Sequence, residues 1–328
     1  MAHELETLAN GQTAFASARL SAWHQLGTIT EDTMTADEIM TKAFLGGWKV
    51  RKLPLQGVET TEAGVSIIEC PDRWMTVRTN IVDGRIEYLG VVGEEYTVVQ
   101  NEEAAEILDL LVDEAGGAHF ETAGSMRKGK SIFVTMKLPK TMTVAGVDDI
   151  DLYLAATTAH DGTQALRVDA TPVRIVCANT QRAAFARTKG FYVFRHTSNI
   201  RAQVSQAREA MGLMWRYLDE FQAAAERMIN ETLTMGEFEK VTAELWPLAD
   251  DATDTAKTKA RQRGATLRYL IRDADTQKAI KGTRWAGYQA ITEYIDHYAP
   301  GNELTRAGRA VAGPLAELKT RAFDLLTV

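Results

Sequence analysis

The feature that most constrains the fold of this chain is a change of hydrophobic period near residue 171. Before it, apolar and polar residues alternate in short runs separated by turn formers; beyond residue 199, apolar residues recur every three or four positions. A period of two marks half-buried strands and a period near 3.6 marks helices. The hinge is Thr171-Pro172-Val173-Arg174-Ile175-Val176-Cys177-Ala178-Asn179-Thr180. Its β-branched run is entered through a proline, and Asn179 or Thr180 is placed to cap a following helix. The expected class is α+β. An antiparallel sheet domain with inserted helices spans 1–198, followed by a helical region over 199–328.

Residues 1–30 read as an irregular lead-in that clamps Trp23 and Leu26 onto the body, with His24 packed beside the tryptophan. Thr35-Ala-Asp-Glu38 is a capping box, so a short helix burying Ile39, Met40, Ala43 and Phe44 follows. Strands are predicted at 48–53, 65–69, 74–80, 85–91 and 96–99, with Cys70-Pro71-Asp72 and Asp83-Gly84 as turns. Asn101 is expected to cap the next helix. Further strands fall at 119–124, 131–138, 149–158 and 165–170, the last pair joined by the turn His160-Asp161-Gly162-Thr163. Ile200, Val204, Ala207, Met211, Met214, Leu218, Phe221, Ala225 and Met228 then give a long amphipathic helix over 199–230. Four more helices are predicted: one ending at Trp246-Pro247, and others over 256–274, 284–297 and 303–326. The apolar stripes of 199–230 and 303–326 exceed what one sheet face covers, which predicts a homo-oligomer.

Several classes of function find no support in the sequence. No apolar run approaches the ~20 residues of a membrane span, and the amino end lacks the basic-then-apolar pattern of a signal peptide. The two cysteines, Cys70 and Cys177, read as reduced thiols of a cytoplasmic protein. No His/Cys spacing suits a metal, no glycine-rich phosphate loop occurs, and no cofactor is implied. Glu94-Glu95 and Glu102-Glu103 are adjacent pairs whose side chains diverge, so convergent acid–base chemistry is not expected and the chain reads as a non-enzyme.

Charge carries the functional signal. The chain has a formal net charge of −7, yet Thr171 to Arg216 holds eight Lys/Arg against the single acid Glu209, and Thr255 to Arg284 holds nine against Asp273 and Asp275. Two cationic segments in an otherwise acidic protein point to a defined anionic ligand. The first interleaves cations with aromatics. Arg174, Arg182, Arg187, Lys189 and Arg195 are placed to contact phosphates, with Phe191 and Tyr192 as stacking platforms for unpaired bases. Arg174 has a second reading, as a structural ion pair with Asp169 or Glu121. The leading expectation is a single-stranded DNA binding or annealing protein. The alternative is a non-enzymatic oligomeric protein that binds a host factor through its Met-rich helix.

Met1-Ala-His-Glu-Leu, Ala22-Trp23-His24-Gln25-Leu26-Gly27, Asp161-Gly162-Thr163 and Val173-Arg-Ile-Val-Cys-Ala-Asn-Thr180 together resemble the phage/plasmid-like family catalogued as domain of unknown function 932. That resemblance implies a bacteriophage, prophage or plasmid origin and brings no catalytic residues with it. In outline, the order of hairpins, helix, hairpins and basic aromatic segment is also similar to Rad-type single-strand annealing proteins. Those combine a curved antiparallel sheet with a long helix, and assemble as rings with DNA in an outer basic groove.

Overall fold

A computed structural model describes residues 4–19, 26–112, 117–171, 191–194, 206–207, 219–299 and 314–327. Trp23, His24, Cys177 and the strand expected over 172–177 lie outside the described residues. In chain order the elements are β1 (Phe15–Ala18), β2 (Thr28–Thr30), α1 (Ala36–Lys42), β3 (Arg51–Thr61), β4 (Gly64–Thr79), β5 (Ile86–Gly93), α2 (Asn101–Leu111), β6 (His119–Met126), β7 (Ser131–Val144), β8 (Asp148–Ala159), β9 (Leu166–Thr171) and β10 (Phe191–Phe194). Helical residues 219–230 follow, then α3 (Met235–Leu245), α4 (Asp254–Asp273), α5 (Arg284–Glu293) and α6 (Pro314–Thr327). The fold is α+β, strand-rich in its first half and helical in its second, as the change of period predicts.

The strands form a seven-stranded sheet in the order β10-β9-β8-β7-β6-β1-β2 and a three-stranded sheet, β3-β4-β5. All pairs are antiparallel except β1 with β2. Register fixes what each face of the larger sheet carries. Ala16, Ala123, Val134, Ala156, Val168 and Tyr192 align in one row across it. This apolar face packs against Ile39 and Met40 of α1 and Ile107 and Leu108 of α2. A second apolar cluster gathers Phe238, Leu270, Trp285, Tyr288 and Ile291 of the helical half. Phe221 packs against both clusters, and Gln222 Nε2 donates to the Thr143 carbonyl at 3.1 Å, tying the helices to the end of β7.

The two sheets meet at a polar junction. Arg78 of β4 donates to both oxygens of the Glu6 carboxylate and, through Nε, to Glu87 at 2.8 Å. Ser125 of β6 also donates to Glu6. The Arg78 guanidinium lies 4.1 Å from the Trp48 ring centre. Burial disfavours its charge, but the hydrogen bonds and charges of Glu6 and Glu87 outweigh that and raise its pKa. Nearby, Thr76 Oγ1 donates to the His160 carbonyl at 2.7 Å and the Tyr96 hydroxyl to that of Ala159 at 3.1 Å. The Asp161-Gly162-Thr163 turn is thus a docking element: a Cβ on Gly90 of β5 would come within 2.5 Å of the Asp161 Cα.

Four local expectations are corrected. Phe15–Ala18 is not irregular but a buried strand between β6 and β2; its alanine-rich sequence is held extended by partners on both sides. Cys70-Pro71-Asp72 is no turn. The register passes from Pro54↔Trp74 to Leu55↔Cys70, so Pro71, Asp72 and Arg73 are the skipped residues of a bulge in one continuous strand, where the missing Pro71 N–H breaks no ladder bond. The stretch 96–99 pairs with no strand among the described residues. Gln100, rather than Asn101, is the N-cap of α2. Asn101 is buried instead, donating to the Leu45 carbonyl and placing Oδ1 2.8 Å from His160 Nε2.

Candidate nucleic-acid interface

The face of the larger sheet opposite α1 and α2 carries polar rows. Ser17, Thr122, Thr135, Ala155, Asp169 and Phe191 align in one, and His119, Lys137, Tyr153 and Thr171 in another. Thr122 and Thr135 join hydroxyls at 2.7 Å. Lys137 Nζ donates to Asp151 at 2.6 Å, and Arg19 donates to His119 Nε2, which lies 3.2 Å from Glu121. Lys137 is thus matched by a carboxylate, and Arg19 by an imidazole nitrogen.

At the β9–β10 edge a cation is also matched by a carboxylate, and an exposed ring lies against it. Arg167 donates from Nε and Nη2 to the two oxygens of buried Asp169, at 2.8 and 2.6 Å. A bidentate pair of this kind fixes the plane of the guanidinium. Its central carbon, Cζ, lies over the Phe191 ring, 3.8 Å from the ring centre. Phe191 is 46% exposed and Val193, its neighbour on the same face, 40%. The result is a held cation and an exposed ring at the margin of the sheet.

Seven residues were singled out from sequence. Arg174, Arg182, Arg187 and Lys189 lie outside the described residues, in the link 172–190, and Arg195 lies outside them just past the far end of β10. Thr171 and Phe191 are the last and first described residues flanking that link, and Phe191 pairs with Asp169. The link therefore leaves and re-enters the sheet at one end, beside the Arg167–Phe191 pair, and contains no Asp or Glu. Phe191 and Tyr192 face opposite ways. Tyr192 belongs to the apolar row, meets Phe194 edge-on at 4.7 Å and donates its hydroxyl to Gln206. It is not a second platform beside Phe191, because neighbouring strand residues alternate faces. Sequence reasoning missed Arg167; the Arg-x-Asp spacing within a strand, which puts both side chains on one face, was the available signal.

The cleft between α1 and α2, about 470 Å³, is lined by Thr35, Ala36, Asp37, Met40, Glu102, Glu106 and Asp109. Its four carboxylates make it hostile to phosphate. Among the described residues, no group of three or more His, Cys, Asp or Glu is arranged to hold a metal ion. None of the described helices is long and apolar enough to cross a membrane.

A family model described as "Domain of unknown function (DUF932)" matches residues 88–322, from within β5 into α6. The chain belongs to this family. No curated protein and no solved structure matches it. The matched span of this DUF932 chain includes the β9–β10 edge and the cationic link, and leaves β1 to β4 and α1 outside.

Proposed function

We propose that this protein binds single-stranded DNA and pairs complementary strands, acting in recombination or replication of bacteriophage or plasmid DNA in the bacterial cytoplasm. The observation that carries the reading is the Arg167–Phe191 pair, an exposed ring backed by a fixed cation where an acid-free cationic link returns to the sheet. Arg174, Arg182, Arg187 and Lys189 contact phosphates, Arg195 extends the track beyond β10, and Phe191 stacks on a base. Tyr192 anchors β10 from the opposite face. No group in this arrangement is called on to make or break a covalent bond, so the proposed activity is non-enzymatic.

Fluorescence anisotropy of a labelled oligonucleotide, titrated against salt, tests the reading. Phe191→Ala is expected to weaken binding by about 1–3 kcal/mol, the usual value of one stacked base, with little change in salt slope. Arg187→Ala and Lys189→Ala should each reduce the slope by about 0.7. Tyr192→Phe should leave both unchanged. Absence of binding at low salt, or an affinity indifferent to salt, overturns the proposal. The rival function, a protein that binds a host factor, would gain from partners that survive nuclease treatment in a pull-down.

A further inference from the structure

The strand pair β3–β4 extends past the sheet it belongs to. β5 pairs with β4 only from Arg73 to Thr79, so residues 55–70 form a two-stranded ribbon joined by the Thr61–Gly64 turn. Val58 (67% exposed) opposes Ile67 (61%) on one face, with Val65 (67%) beside them, and Ile68 is exposed on the other. A bare two-stranded ribbon is marginal in water, and a contiguous apolar patch on one marks a contact surface. From Leu53 to Asp72 the chain carries four acids, Glu59, Glu62, Glu69 and Asp72, and no Lys or Arg. Whatever covers this arm is cationic and partly apolar.

The chain itself supplies such a surface. α4 buries Leu267, Leu270 and Ile271, and its opposite side exposes Arg261, Ala265, Arg268 and Arg272 at steps of four, three and four. Tyr269, 54% exposed, flanks that stripe. The stripe from 261 to 272 is about 16 Å long at 1.5 Å per residue. Each strand of the ribbon runs about 20 Å at 3.3 Å per residue.

We propose that the β3–β4 arm of one copy docks on the α4 stripe of a second copy. Glu69, paired with Gln56 on the Val58–Ile67 face, and Glu62 in the turn meet Arg261 and Arg272, while Val58, Val65 and Ile67 pack against Ala265, Tyr269 and the arginine stems. Two different patches meet, so the contact is heterologous and propagates into a ring or an open chain rather than stopping at a dimer. It does not depend on DNA binding, since it uses neither the β9–β10 edge nor the link.

Light scattering on the full chain at low salt, over a range of concentrations, gives the test. Wild type is expected well above the 36.2 kDa of one chain. E62K/E69K and R261E/R272E should each fall towards one chain, and so should the uncharged V58S/I67S. An equimolar mixture of the two charge-reversed variants should regain the wild-type mass, because each then offers an arm matching the other's helix. A wild type that stays at one-chain mass overturns the proposal. So does an arm variant that keeps the wild-type mass, or a mixture that fails to recover it.

Discussion

Arg78 shows how much one buried charge controls here. It is 3% exposed, Glu6 is 7% exposed, and each is the other's main partner. Gly129 permits that burial: its φ is +80°, and a Cβ there would come within 2.5 Å of Arg78 Nη1. Arg78→Met keeps the bulk against Trp48 but strands the Glu6 carboxylate in the junction. We expect a loss of about 3–5 kcal/mol in urea unfolding, and partial recovery when Glu6→Gln is added. Nothing local announces this pair. Alternation in Trp74-Met-Thr-Val-Arg78 fixes which face Arg78 points to, but its partner lies 72 positions away in sequence. Tyr96 supplies a pH signature at the same scale. Burial, then the charge of Asp161, pushes its hydroxyl up to about 12. A phenol whose folded pKa is raised contributes stability that is complete below its unfolded pKa, near 10, and is lost as pH climbs through about 12. Wild type should therefore lose stability across that window faster than Tyr96→Phe, measured by unfolding at fixed pH steps.

At the scale of elements, local chemistry was legible and pairing was not. The capping box read at Thr35 makes both reciprocal hydrogen bonds, because that signal lies entirely within four residues; the structure adds a second such box at Thr234. The bulge after Cys70 was misread because proline beside aspartate signals a turn as readily as a skipped ladder position. Only the opposing strand decides which. β1 escaped for the same reason, its four residues being made a strand by neighbours distant in sequence. The rows that build the candidate site share this origin, since Asp169 and Phe191 become neighbours only through register. Between elements the decisive contact is backbone on backbone, Gly90 against Asp161. Gly90→Ala must push the three-stranded sheet off the β8–β9 turn. A cost of about 1–3 kcal/mol is expected, as for other overpacked sites. It should appear as a lower midpoint in thermal unfolding, whereas Gly93→Ala, with open space around it, should cost less.

For the whole molecule, the governing property is segregation of charge. A net charge of −7 hides an acid-free link between β9 and β10, a basic stripe on α4 and an acidic arm. On the two proposals made above, segregation of this kind keeps the surface for an anionic polymer apart from the surface for a second copy. Arg174, three residues past Thr171, is where the structural and functional readings of the link separate. One carboxylate offered to it as a structural partner, Asp169, accepts two hydrogen bonds from Arg167. On the proposed function the Arg174 charge serves a phosphate. Arg174→Ala should lower oligonucleotide affinity and reduce the salt slope by about 0.7 while leaving the melting temperature in place. The opposite pattern, a melting loss of the size caused by breaking a buried pair with the salt slope unchanged, would assign Arg174 to the sheet interior instead. Because slope reports phosphates neutralised and melting reports burial, one variant measured both ways separates the two roles.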